Sequence, residues 1–112
     1  MTEITDAQAE FIIENKEIPD EIINAGDKVA LVLTQNWCPQ WVAMKIWLPK
    51  IHDGIKIFYQ CYNVKPYSNK LMKVKETIFG NDLIPYVRYY RNGEFVHETN
   101  YEGKDGFLSH FE

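Results

Sequence analysis

Cys38 is the residue whose type and setting best suit chemistry. It stands in Gln35-Asn36-Trp37-Cys38-Pro39, between an apolar run and a segment with helical periodicity. Pro39 suits the first position of a helix, where its missing N–H costs nothing. A thiol just before it meets unpaired backbone N–H groups and the positive end of the helix dipole, both of which stabilise a thiolate. If the preceding run is a strand of a parallel sheet, the cysteine sits at the carboxyl end, where open α/β sheets place their sites. The alternative is a small apolar residue tucked under Trp37, since free cysteines are often simply buried.

The second thiol, Cys61, lies in Ile55–Val64, where alternation puts Ile57, Tyr59, Cys61 and Asn63 on one face. It reads as a small core residue, or as a secondary thiol that resolves Cys38 from a neighbouring strand. Metal binding is not expected. The two cysteines and three histidines (His52, His97, His110) are scattered, with no CxxC and no HxxxH. No histidine adjoins Cys38 in sequence to act as its base, and no cofactor is called for. Lys65, Lys70, Lys73 and Lys75 read as a solvated helix face, able to hold an acidic partner but not requiring one.

The elements that must position Cys38 follow from periodicity. Thr5 with Asp6 predicts a helix start, Phe11 to Ile13 its apolar face, and Asp20 to Ala25 a second short piece beyond Pro19. Lys28 to Thr34 is a strand buried on both faces. Trp41, Val42, Met44, Trp47, Leu48 and Ile51 give a helix closed near Pro49. Ile55 to Val64 is a second core strand, and Leu71 to Phe79 a third helix ended by Gly80-Asn81. Leu83 to Tyr90 is a strand with a proline near its start. Arg91-Asn92-Gly93-Glu94 is a hairpin turn, Phe95 to Tyr101 the return strand, and Lys104 to Glu112 a terminal helix. A strand–helix–strand unit must be parallel and right-handed, so the sheet is mixed, with helices on both faces.

Length and composition agree. The 112 residues, 46% hydrophobic and 14% aromatic, predict a single α/β domain spanning 1–112. A net charge of −4 argues against a nucleic-acid surface, and no apolar run approaches the roughly 20 residues of a membrane span. The polar, acidic start Met1–Glu10 is unlike a signal peptide, and two cysteines in such a chain point to the cytoplasm.

With these segments in register, the sequence resembles the thioredoxin family. The matching residues are Leu31-Val32-Leu33, Trp37-Cys38-Pro39-Gln40-Trp41, Leu83-Ile84-Pro85-Tyr86 and Asn92-Gly93-Glu94. The resemblance implies a thioredoxin-like fold with a C-terminal β-hairpin and helix. It also implies a cis peptide bond before Pro85 beside Cys38, leaving the Ile84 backbone free to pair with an extended substrate. Trp37, Pro39, Trp41, Ile84, Pro85 and Tyr86 would then line the substrate site, with Trp41 shielding the thiol.

Two departures qualify the implied activity. The family's second, resolving cysteine falls on Trp41, and its buried carboxylate falls on Val32. The expectation is thiol–disulfide exchange through Cys38 alone: attack on a protein or small-molecule disulfide, then release by an external thiol. Cys-Pro is closer to glutaredoxins, but Thr-Val-Pro and a later Gly-Gly pair are missing, so glutathione stays an open but unsupported partner. The competing expectations are a non-catalytic binding module and a monothiol glutathione-dependent transferase.

Overall fold

A computed structural model describes residues 1–112. A five-stranded sheet has the order β1-β3-β2-β4-β5. The strands are β1 (Thr2–Glu3), β2 (Lys28–Thr34), β3 (Ile55–Cys61), β4 (Tyr86–Arg91) and β5 (Glu94–Thr99). The helices are α1 (Asp6–Asn15), α2 (Asp20–Ile23), α3 (Pro39–Trp47), α4 (Ser68–Thr77) and α5 (Lys104–Ser109). β3 runs parallel to β1 and β2, whereas β4 is antiparallel to β2 and β5.

β2 is the axis of the molecule. Its alternate residues Val29, Leu31 and Leu33 enter one apolar layer with Ile12, Ile22 and Leu71 from the helices on that side. Ala30 and Val32 enter the other, with Trp41 and Met44 of α3 and Phe107 of α5. Both faces of the central strand are therefore covered, which is why it reads as a continuous apolar run rather than an alternating one.

Local signals set the element ends. Thr5 caps α1 with a reciprocal capping box: its hydroxyl accepts from Gln8 N–H at 3.1 Å, and the Gln8 side chain accepts from Thr5 N–H at 2.9 Å. Asn92 and Gly93 both take positive φ, 52° and 81°, as a two-residue primed hairpin turn requires. α3 begins on Pro39 and gives way at Pro49 to a 3₁₀ turn, Leu48–Lys50.

Several boundaries differ from the sequence reading. β3 stops at Cys61, and Tyr62–Val64 form a 3₁₀ turn. β4 starts only at Tyr86, so Leu83, Ile84 and Pro85 stay outside the ladder. β1, a two-residue edge strand of polar residues, carries no apolar pattern to betray it. Lys75 does not belong to a solvated face. It is fully buried because the chain after α4 folds back over it, and its ammonium donates to the Asn81 carbonyl at 2.7 Å. No helix is long and apolar enough to cross a membrane.

Candidate functional site

The carboxyl ends of β2 and β3 lie side by side at one end of the sheet, and the residues just beyond them are tied together by uncharged side chains. Asn36 N–H donates to the Asn63 side-chain oxygen at 2.9 Å, and Asn63 Nδ2 returns a bond to Asn36 Oδ1 at 2.8 Å. Gln35 Nε2 donates to the Tyr62 hydroxyl at 3.2 Å and Gln35 Oε1 accepts from the Trp37 indole at 2.5 Å. These bonds hold the segment between β2 and α3 in a turn that delivers Cys38 to the N-cap of α3.

Cys38 contributes its backbone to the helix start: Val42 N–H donates to the Cys38 carbonyl at 3.1 Å. The residue is 4% exposed. The thiol points at the Ile84 carbonyl, with Sγ 4.0 Å from the oxygen. The Ile84–Pro85 peptide bond is cis. Among the turn, loop and side-chain hydrogen bonds, none engages the Ile84 N–H.

The loop that carries Ile84 is clamped from behind. Asn100 Nδ2 donates to the Pro85 carbonyl at 3.0 Å, and Asn81 and Asn100 exchange amide bonds at 2.9 and 3.0 Å. Leu83 N–H donates to Asn81 Oδ1 at 3.0 Å. The loop's position beside Cys38 is thus fixed by Asn81 in the chain after α4 and Asn100 at the end of the hairpin.

Between this loop and α3 lies a groove of about 650 Å3, with Trp37, Cys38, Pro39, Tyr62, Leu83 and Ile84 on its walls. Trp37 at the rim is 64% exposed. Glu76 and Asp82 add two carboxylates. Of the residues expected to line a substrate site, Trp37, Pro39 and Ile84 border this groove together with Cys38. Pro85, Trp41 and Tyr86 do not; all three are buried.

Trp41 packs beneath Cys38 in the same apolar layer, its ring 5.8 Å from that of Tyr59. It lies one helical turn along from Cys38, on the face that α3 turns to the sheet. Its indole N–H has no well-formed hydrogen bond but faces the Cys61 thiol. Burial pushes the Cys61 thiol up, and the Trp41 N–H and the Lys45 ammonium oppose that only in part. Tyr86 points to the opposite side of the sheet. As the first residue of β4 it follows the pleat into the layer with Leu33 and Leu71, where it stacks on Phe79 at 6.3 Å and its hydroxyl accepts from Arg88.

The sequence reading missed Tyr62, Gln35, Glu76, Asp82 and Leu83. The rule that α/β sites gather at carboxyl ends of parallel strands could have found Gln35 and Tyr62, which follow β2 and β3 directly. Cys38 and Cys61 are both free and unbonded. No histidine reaches the groove. His97 and His110 stack on each other at 4.2 Å near Tyr89, and His110 Nε2 meets Glu102 at 2.5 Å. No group of three or more histidine, cysteine or acidic side chains is placed to hold a metal.

The arrangement offers a thiol at a helix start, an adjacent backbone carbonyl, and an open apolar cleft large enough for several side chains. It offers no second thiol in that cleft.

Neither a protein-family model nor a curated protein sequence matches the chain. Solved structures do. Oxidised thioredoxin from Plasmodium falciparum superposes with a TM-score of 0.64 at 16% identity, over 97% of this chain and 92% of its own. Thioredoxin f2 from Chlamydomonas reinhardtii gives 0.65 at 12% identity, over 97% and 91%. A buckwheat glutaredoxin solved with glutathione gives 0.51 at 13% identity, over 85% and 78%. The fold is thioredoxin-like.

Proposed function

We propose that this thioredoxin-like chain carries out thiol–disulfide exchange through Cys38 as its single nucleophile, acting as one domain in a reducing compartment such as the cytoplasm. The observation that carries the reading is the meeting of two features in one groove: Cys38 at the N-cap of α3 and the Ile84 carbonyl 4.0 Å from its sulfur. An extended partner laid along the groove would pair with the Ile84 backbone and bring its sulfur to Cys38.

The step balances as a displacement. The Cys38 thiolate forms a bond to one sulfur of the partner disulfide, and the old S–S bond breaks. The departing sulfur leaves with the electron pair as a thiolate. Trp41 cannot complete the cycle, so an external thiol attacks the mixed disulfide and restores Cys38. Trp37 and Pro39 would contact the partner. Trp41 acts from beneath, as packing under the thiol, and Pro85 and Tyr86 anchor the Ile84 loop where β4 begins. Cys61, behind Trp41, serves the core.

A second reading has its own support. Cys38 is 4% exposed whereas Trp37 is 64% exposed, a distribution suited to a module that binds an extended segment without turnover. One experiment separates the two. The protein is incubated at neutral pH with the uncharged hydroxyethyl disulfide and digested, and the adducts are mapped by mass spectrometry. Exchange predicts an adduct on Cys38, removable by dithiothreitol and lost in Cys38→Ser. An unmodified Cys38 in the folded protein leaves the binding module.

A further inference from the structure

The groove beside Cys38 is asymmetric in charge. Glu76 comes from the last turn of α4 and Asp82 from the loop after it; both are exposed. Neither forms an ion pair, since the chain's two salt bridges are Lys65–Asp6 and His110–Glu102. No lysine, arginine or histidine lines the groove. Lys75 is within electrostatic reach of both; it is fully buried, donates to the Asn81 carbonyl at 2.7 Å and lies 5.8 Å from the centre of the Tyr86 ring. Burial pulls the Lys75 pKa down, while Glu76 and Asp82 pull it up. The wall therefore presents two carboxylates free of ion pairs, with the buried Lys75 ammonium behind them.

A fitting occupant combines apolar stems with positive charge. Lysine and arginine side chains do so: the methylenes lie on Trp37, Pro39 and Leu83 while the head reaches a carboxylate. Glutathione does not fit as well. Its two carboxylates and one ammonium leave it net negative at neutral pH, facing two like charges. We infer that the groove takes extended polypeptide segments with Lys or Arg within a residue or two of their cysteine, and discriminates against glutathione. The covalent step rests on the exchange reading of Cys38; the charge selection belongs to the groove and is measurable without it.

The test uses two synthetic peptides of equal length with a central serine in place of cysteine. Lysines flank the serine in one and glutamates in the other. Binding to the full chain is followed by calorimetry and by tryptophan emission, to which exposed Trp37 contributes. The lysine peptide should bind about 3- to 10-fold more tightly in low salt, the range two exposed ion pairs supply, and the gap should close in 0.5 M salt, roughly. Glu76→Gln with Asp82→Asn should remove most of the difference, and reduced glutathione should not compete. Equal binding, binding of neither peptide, a preference for the glutamate peptide, or a preference unchanged in the double variant each overturns the inference. Labelling with the neutral disulfide tests the other reading separately. An adduct on Cys38 without peptide preference removes only the charge selection. Peptide preference without an adduct removes only the exchange.

Discussion

At the scale of single residues the two thiols part company. Cys38, itself buried, heads a helix and borders the groove, whereas Cys61, half-buried at the end of a strand beside Trp41, has its thiol pushed up by desolvation. Because the thiolate is the reactive form, Cys61 should label slowly at pH 7 and gain steeply by pH 9, with Cys38 ahead of it at neutral pH. Mass-resolved alkylation rates for each cysteine check this, and equal rates at pH 7 would contradict it. Trp41 tests a different idea. Placing a thiol there by Trp41→Cys sets a second cysteine one helical turn from Cys38 but removes a fully buried indole. The variant should lose about 3–5 kcal/mol of stability, as buried Trp truncations do. Any gain in disulfide-reductase activity over wild type should therefore appear well below its lowered melting temperature. Paired denaturation and turnover curves show whether it does.

At the scale of elements, the clamp behind the Ile84 loop is the part to perturb. Asn100→Ala deletes the donor to the Pro85 carbonyl and both amide bonds with Asn81. A loss of about 1–2 kcal/mol is expected from the broken hydrogen bonds. Faster hydrogen exchange at the Leu83 amide should accompany it, because that N–H is held by Asn81 Oδ1. Unchanged exchange at Leu83 would mean that the loop is held by other contacts. The hairpin gives a sharper case: Gly93→Ala places a Cβ at φ +81° and 2.5 Å from Asn24 Oδ1. It should cost roughly 1 kcal/mol or more in a denaturant titration.

What the sequence discloses at this scale depends on how local the cause is. The Thr5 cap, Pro39 at the start of α3, the run of β2 and the Asn92-Gly93 turn are written in neighbouring residues, and each is where the pattern puts it. Lys75 and Tyr86 are not legible in this way. Helical spacing cannot reveal that the Gly80–Asn81 turn returns over Lys75. The face taken by Tyr86 depends on where β4 enters the pleat after Pro85. Glu76 and Asp82 join the groove only through that same returning chain.

At the scale of the whole molecule, the sheet buries phenols on both sides. Burial raises the hydroxyl pKa of Tyr62, Tyr86, Tyr89 and Tyr90, and burial together with the Asp6 carboxylate raises that of Tyr67. The folded state thus holds these protons more tightly than the unfolded chain, whose phenols titrate near pH 10, roughly. Their contribution is fully present below that pH and is lost as pH rises through the folded values. Lys75 acts in the opposite sense: its folded pKa is lowered, so its buried ammonium penalises folding at neutral pH, and deprotonation relieves this on the way to alkaline pH. With the phenols outnumbering it, the midpoint of urea unfolding should fall steeply above about pH 10. Tyr89→Phe should make that fall shallower, and an alkaline limb no shallower in the variant would exclude Tyr89 as a contributor.

The amide and phenol ties across the ends of β2 and β3 have a kinetic corollary. Asparagine, glutamine and tyrosine build the rim, carboxylates are the only charges on the groove, and the histidines lie elsewhere. A carboxylate is a far weaker base than a thiolate, so neither Glu76 nor Asp82 serves as an efficient acceptor for a thiol proton. The chain thus supplies a nucleophile without a proton acceptor. Exchange at Cys38 should then follow hydroxide activity rather than buffer concentration, and any proton relay must arrive with the partner.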